Sequence, residues 1–162
     1  MSWLRRAAIA GLVAVLPACG FHLRGDVEFP PAMAKTWIEA KDRHSPFYRK
    51  LRATLRDSGV EVTSDALAAK AIIRILEDDS GERVLSVSAR NTPREFDVYY
   101  SVRYSLELNG REALPAQQHI LTRDYTYDET LVLGKSREGE VIRDALAADL
   151  VGVVTRRLST AR

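Results

Sequence analysis

One run constrains the fold more than any other: from 95 to 108 the chain alternates without a break. Phe96, Val98, Tyr100, Val102, Tyr104, Leu106 and Leu108 fall on one side. Glu95, Asp97, Tyr99, Ser101, Arg103, Ser105 and Glu107 fall on the other. Successive side chains of a strand point to opposite faces, so this run reads as a strand with one face on a core and one polar face. A helix would scatter the same apolar residues around its circumference. The chain must therefore build a sheet and cover one side of it. Asn109-Gly110 follows at once and is a strong hairpin signal. Residues 117–127 return as the next strand, with His119, Leu121, Arg123, Tyr125 and Tyr127 on one side.

Two helices are available to cover that side. Ser45-Pro46 opens the first: serine caps, and proline at the first helical position loses no hydrogen bond. Phe47, Leu51 and Leu55 recur every fourth residue, and Gly59 supplies the stop. The second spans about 136–158, with an expected apolar stripe of Val141, Ile142, Ala145, Leu146, Leu150, Val153 and Val154. Residues 35–40, 60–63, 71–76 and 84–89 read as further strands. The acidic stretch 77–82 reads as a polar turn, without the spacing of a calcium loop. The order strand, helix, several strands, helix predicts an α+β fold. It is a two-layer sandwich, with two helices packed on one face of a mixed, mostly antiparallel sheet. Residues 35–162 are expected to form this single domain.

The start of the chain reads differently. Arg5 and Arg6 precede an apolar run of about ten residues ending at Leu16, then Pro17-Ala18-Cys19. A charged start, a short apolar stretch and a small residue before the cut make a secretory signal, too short to span a bilayer. Cys19 is the chain's one cysteine, and Leu16-x-Ala18-Cys19 resembles the bacterial lipobox. Residues 1–18 are thus expected to be a lipoprotein signal peptide. Cys19 is the expected lipid attachment site, and 19–34 a lipidated extended tether. Gly20, where an aspartate would favour the inner membrane, points to the outer membrane. Removing Arg5 and Arg6 leaves 24 − 2 = 22 basic and 22 acidic residues. A neutral body does not advertise nucleic acid as a partner.

The search for chemistry is nearly empty. The chain has no G-x-S-x-G, H-E-x-x-H, C-x-x-C or Walker A motif, and His22, His44 and His119 lack metal-ligand spacing. Asp124 and Glu129 read as structural carboxylates. No enzyme activity, cofactor or metal is expected. Arg49, Lys50, Arg52 and Arg56 on the first helix read as a solvated basic face rather than an anion site. Two connections place paired cations together: Arg90 and Arg94 in 90–94, and Lys135 and Arg137 in 134–137. Such loops suit a phosphorylated lipid or are simply soluble loops, and spacing alone leaves both open.

Cys19-Gly20-Phe21-His22-Leu23-Arg24-Gly25 resembles the mature start of the lipopolysaccharide-assembly lipoproteins of the LptE (RlpB) family. The resemblance implies a location at the periplasmic face of the outer membrane. It implies a partner, the β-barrel LptD, whose lumen such proteins plug, and a cargo, lipopolysaccharide. It also implies lipopolysaccharide binding through basic residues at one end of the sheet. On matching positions these are Arg90 and Lys135, with Arg94 and Arg137 as neighbouring candidates. Leu131, Val132 and Leu133 bury either in the domain's own core or against a partner, and with Tyr99, Tyr125 and Tyr127 they are candidate partner contacts. The alternative is a lipid-transport accessory lipoprotein that binds phospholipid.

Overall fold

The computed structural model describes residues 27–126 and 135–161. Cys19, the 19–25 motif, Tyr127, Glu129 and the 131–133 stretch lie outside the described residues. Five strands form one sheet: β1 (Lys35–Ala40), β2 (Glu61–Thr63), β3 (Ala71–Val87), β4 (Pro93–Leu108) and β5 (Arg111–Thr126). Their spatial order is β2-β1-β3-β4-β5. β1 is parallel to β2 and β3, while β3, β4 and β5 are antiparallel. Two helices, α1 (Pro46–Asp57) and α2 (Lys135–Ser159), pack on one face and against each other. The expected two-layer α+β sandwich is therefore the observed architecture.

The strand alternation works as expected. Val98, Tyr100, Val102, Tyr104, Leu106 and Leu108 are all buried in the core with Ile38, Ile73 and Ile75. From α1 the core receives Phe47, Tyr48, Leu51 and Leu55. The Ser45 hydroxyl caps α1 by accepting from the Tyr48 N–H at 3.0 Å. Asn109 and Gly110 both take positive φ, 51° and 76°, as a two-residue turn between twisted strands requires. Met33, in a 3-10 turn (Pro31–Ala34), is fully buried, and its carbonyl accepts from Thr36 Oγ1 at 2.7 Å. The chain is thus packed into the body before β1 begins.

Three expectations need correction. Residues 77–82 are not a turn, because β3 continues through them to Val87. Each carboxylate there has found a neighbour. Glu77 pairs with Arg103 at 2.6 Å, and Asp78 accepts from Tyr100 Oη at 2.8 Å. Asp79 accepts from Tyr99 Oη at 3.2 Å, and Glu82 from Tyr125 Oη at 2.6 Å. Gly81 is no turn residue either: it lies opposite Tyr99, whose ring would stand 2.6 Å from an added Cβ. The ring occupies the space that a side chain would fill. A bulge between Ile75 and Glu77 shifts the register by one residue, which hides the strand from any simple period.

Second, Arg94 belongs to β4, not to the connecting loop. Third, the stripe of α2 is rotated from the expected one. Ile142, Leu146, Leu150, Val154 and Leu158 are buried with Ala147 and Val151, whereas Val141 is 66% exposed. The sheet selects one of two adjacent apolar rows, and only packing distinguishes them.

A polar knot joins α1 to the sheet. Tyr100 is 1% exposed, donates to Asp78, and accepts from the Phe47 N–H at 3.3 Å. Ser45 Oγ also donates to Asp78. Burial, followed by the bond to Asp78, holds the Tyr100 phenol well above the ordinary tyrosine range. Tyr100→Phe leaves both neighbours short of a partner and is expected to cost about 1–3 kcal/mol in urea denaturation. The pH dependence has a definite sign. Unfolded tyrosine ionises near pH ~10 while folded Tyr100 stays protonated. The wild-type chain therefore loses stability as pH rises above ~10, and its advantage over Tyr100→Phe is expected to shrink there.

Candidate functional site: a cationic tip opposite the chain entry

The three long strands give the molecule two distinct ends. β4 has 16 residues. At ~3.3 Å per residue it spans on the order of 50 Å. At one end the entering chain packs against the β4–β5 turn: Pro30, Pro31 and Ala32 line a groove with Leu108, Asn109 and Ala161. At the other end, residues 88–92 join β3 to β4.

Ser88 organises that loop. Its N–H donates to the Thr92 carbonyl at 2.7 Å, and its carbonyl accepts from the Asn91 N–H at 2.9 Å. Its hydroxyl meets Thr92 Oγ1 at 2.5 Å and accepts from the Arg90 N–H at 3.2 Å. Asn91 takes φ 60°, which reverses the chain. Asparagine tolerates this left-handed conformation better than most residues. Arg90 is held exposed on a tight loop whose backbone bonds are made internally.

α2 starts at the same end. Its Arg143 reaches Glu82 at 3.4 Å, and Gly139 lies against the same carboxylate. From Glu82 to Val87 the strand climbs five residues, roughly 17 Å, and from Arg143 back to Lys135 the helix climbs eight, roughly 12 Å. The backbone of Lys135 therefore stands toward the Arg90 loop, although its side chain lies outside the described part. Arg94 and Arg137 are exposed at this end as well. Arg94 shares the strand parity of Phe96, whose ring stacks on Tyr125 at 5.5 Å, so it lies on the helix-bearing side. Among the described residues, Arg90, Arg94 and Arg137 have no carboxylate partner.

The open face of the sheet behaves in the opposite way. Arg74 pairs with Glu39 at 2.9 Å and Glu107 at 2.7 Å, Arg103 with Glu77, and Arg83 with Asp97. Arg83 also lies 5.6 Å from the centroid of the Tyr99 ring. Cation and carboxylate neutralise each other along this surface. Tyr99 on this face is tied to Asp79; Tyr125, on the helix-bearing side with Phe96, is tied to Glu82, and partial burial with that bond pushes its phenol up to about 12. Asp124 is exposed on β5 and lies across from Asp97. His119 packs beside Tyr104 with ring centroids 5.9 Å apart. Among the described residues no three His, Cys, Asp or Glu side chains are grouped to hold a metal, and no helix is long and apolar enough to cross a membrane.

Residues 33–158 match the family described as LptE, lipopolysaccharide-assembly. The chain belongs to the LptE family. Among curated relatives, the LPS-assembly lipoprotein LptE of Yersinia enterocolitica is 26% identical over 147 residues, covering 90% of this chain and 70% of that protein. LptE of Photorhabdus laumondii is 24% identical, covering 91% and 81%. Among solved structures, lipoprotein B from Nitrosomonas europaea superposes with a TM-score of 0.72 at 27% identity, covering 86% of this chain and 90% of that one. The rare lipoprotein B from Shewanella oneidensis has the same fold, with a TM-score of 0.68 at 21% identity and coverage of 78% and 94%. Members of the LptE family are lipopolysaccharide-assembly lipoproteins and not enzymes, in line with the motif search.

Proposed function

We propose that this LptE-family chain is an outer-membrane lipoprotein. It is anchored through Cys19, faces the periplasm, plugs the LptD β-barrel, and takes part in assembling lipopolysaccharide into the outer leaflet. In this reading residues 1–18 are the cleaved signal, 19–34 the tether, whose last turn already docks on the body through the buried Met33, and 35–162 the plug. The observation that carries it is the placement of Arg90, Arg94 and Arg137, without a carboxylate partner among the described residues, at the end away from the chain entry. A lipid anchor at the entry end would leave the Arg90 loop projecting on the order of 50 Å from the tether. A phosphorylated, anionic cargo suits such a tip, because arginine grips phosphate with two donors and lysine adds a point charge. The self-neutralised open face supports the plug role, since the lumen of an outer-membrane barrel is polar. Barrel-facing contacts there are expected to be ion pairs and hydrogen bonds rather than a broad apolar patch.

Arg90→Glu combined with Lys135→Glu is expected to weaken lipopolysaccharide binding by at least about tenfold, which corresponds to about 1.4 kcal/mol. The melting curve should stay unchanged for the Arg90 substitution, because Arg90 is exposed. Unchanged binding at matched salt would sink the tip assignment. Co-purification from solubilised outer membrane tests the plug, with a large barrel as the expected partner. The lipid extracted with the protein separates this reading from phospholipid transport.

A further inference from the structure

A second cationic feature lies far from the tip. A groove of about 440 Å³ opens beside α1, and its lining includes Arg43, Arg49, Arg52 and Arg56 together with Trp37 and Val62. About 15 residues of β3, on the order of 50 Å, separate its level from the Arg90 loop. We propose that this groove is a binding site for a phosphate ester, with the phosphate held by the four arginines and the attached group laid on the Trp37–Val62 wall.

The topology creates the space. β2 pairs with β1 only as far as Trp37, whereas β1 runs on to Ala40. The groove opens at this step, at the carboxyl ends of two adjacent parallel strands. Crevices at the carboxyl ends of strands are the general ligand position of open sheets with parallel strands. Arg49, Arg52 and Arg56 recur at spacings of three and four on α1 and so share one helix face. Arg43 and His44 arrive from the β1–α1 connection.

The charge is uncompensated. No carboxylate lines the groove. Among the described residues Arg43, Arg49, Arg52 and Arg56 make no ion pair. Asp42 and Asp57, next in sequence to Arg43 and Arg56, do not line the groove, and Asp42 accepts from the His44 N–H at 2.7 Å. Lys50, on the same helix, behaves differently: it points toward α2 and pairs with Asp144 at 2.9 Å. The basic helix therefore has two sides, one neutralised and one not. Four like charges around one concavity repel one another, and an anion between them removes that repulsion. The start of α1 supplies little of this field, because the Tyr48 and Phe47 N–H groups are already bonded to Ser45 and Tyr100. Phosphate fits the donors best: arginine offers planar paired N–H groups, and several arginines can share its oxygens. The lining also carries Trp37, Ile38, Tyr48 and Val62, whose apolar surface suits the carbon skeleton of an ester more than a bare ion.

The test uses the mature lipidated chain in neutral detergent. Trp3 falls in the expected signal peptide, so Trp37 is the tryptophan that reports, and it lines the groove. Two probes are titrated at constant ionic strength, inorganic phosphate and a short-chain phosphatidylglycerol, with calorimetry measuring binding and Trp37 emission locating it. Saturable binding of at least one probe with a change in Trp37 emission is expected. Binding to Arg52→Gln with Arg56→Gln should be weaker by at least about tenfold. Lys50→Gln, which removes the same kind of charge from the other side of α1, should bind as the wild type does. Saturation by both probes identifies the phosphate alone as sufficient, and saturation by phosphatidylglycerol only identifies a lipid headgroup. No saturable binding of either probe would overturn the proposal, as would equal binding by the double variant with its melting curve intact. The tip variant Arg90→Glu with Lys135→Glu should retain this binding, so the two sites succeed or fail independently.

Discussion

The mature chain carrying Cys19→Ala is expected to stay in the supernatant when mixed with phosphatidylcholine liposomes, whereas the lipidated wild type sediments with them. The effect is close to all or none. Among the described residues no helix is long and apolar enough to cross a bilayer. A buried acyl chain contributes about 0.8 kcal/mol per methylene, and stable anchoring takes more than one chain. The lipobox resemblance implies three on this one residue. Intact mass would show the added lipid on the wild type and its loss in the variant. Co-sedimentation of the variant to the wild-type extent would overturn Cys19 as the anchor. The melting curve should not change, because Cys19 precedes Met33, the first core residue among the described residues.

Leu150→Ala is expected to cost about 2–5 kcal/mol in urea denaturation, the largest single effect foreseen on the folded body. Leu150 is fully buried on α2. Removing its side-chain carbons leaves a cavity between helix and sheet that rigid strands cannot close. Typical domains have only about 5–15 kcal/mol in total, so a large share of the stability would go. Val141→Ala serves as the comparison. Val141 is also apolar and also on α2, but it is 66% exposed. Its loss is expected to stay within about 0.5 kcal/mol. Equal costs at the two positions would contradict the observed rotation of the helix.

Much of the architecture was legible because local chemistry and tertiary structure agree. The alternation from Phe96 to Leu108, the Ser45 cap, the stop at Gly59 and the Asn109–Gly110 turn each act within a few residues. Residues 77–82 were misread because their signals are local while their partners are not. Four acids and a glycine in six residues resemble a turn, yet the acids' partners Tyr99, Tyr100, Arg103 and Tyr125 sit 20, 22, 26 and 43 positions away.

The candidate tip divides in the same way. Arg90 stands out in sequence as a cation between two strands, and the Ser88-centred loop presents it as such. Nothing in the linear order says that α2 would begin at that end of the sheet. The α1 groove was not legible at all. Its arginines read as a solvated face because helical spacing cannot tell which side has an acid across from it. Only the approach of Asp144 to Lys50, and the early end of β2 beside Trp37, divided that face in two.

The sequence by itself determined the sheet with one covered face, the two covering helices and the expected anchor at Cys19, since period, caps and a lone cysteine are properties of neighbouring residues. Tertiary structure alone decided the strand order, the course of β3 through its acids, the row of α2 that is buried and the gathering of four arginines in a groove. Those outcomes depend on contacts between residues distant in the chain, where packing and charge pairing choose among arrangements that are locally equivalent.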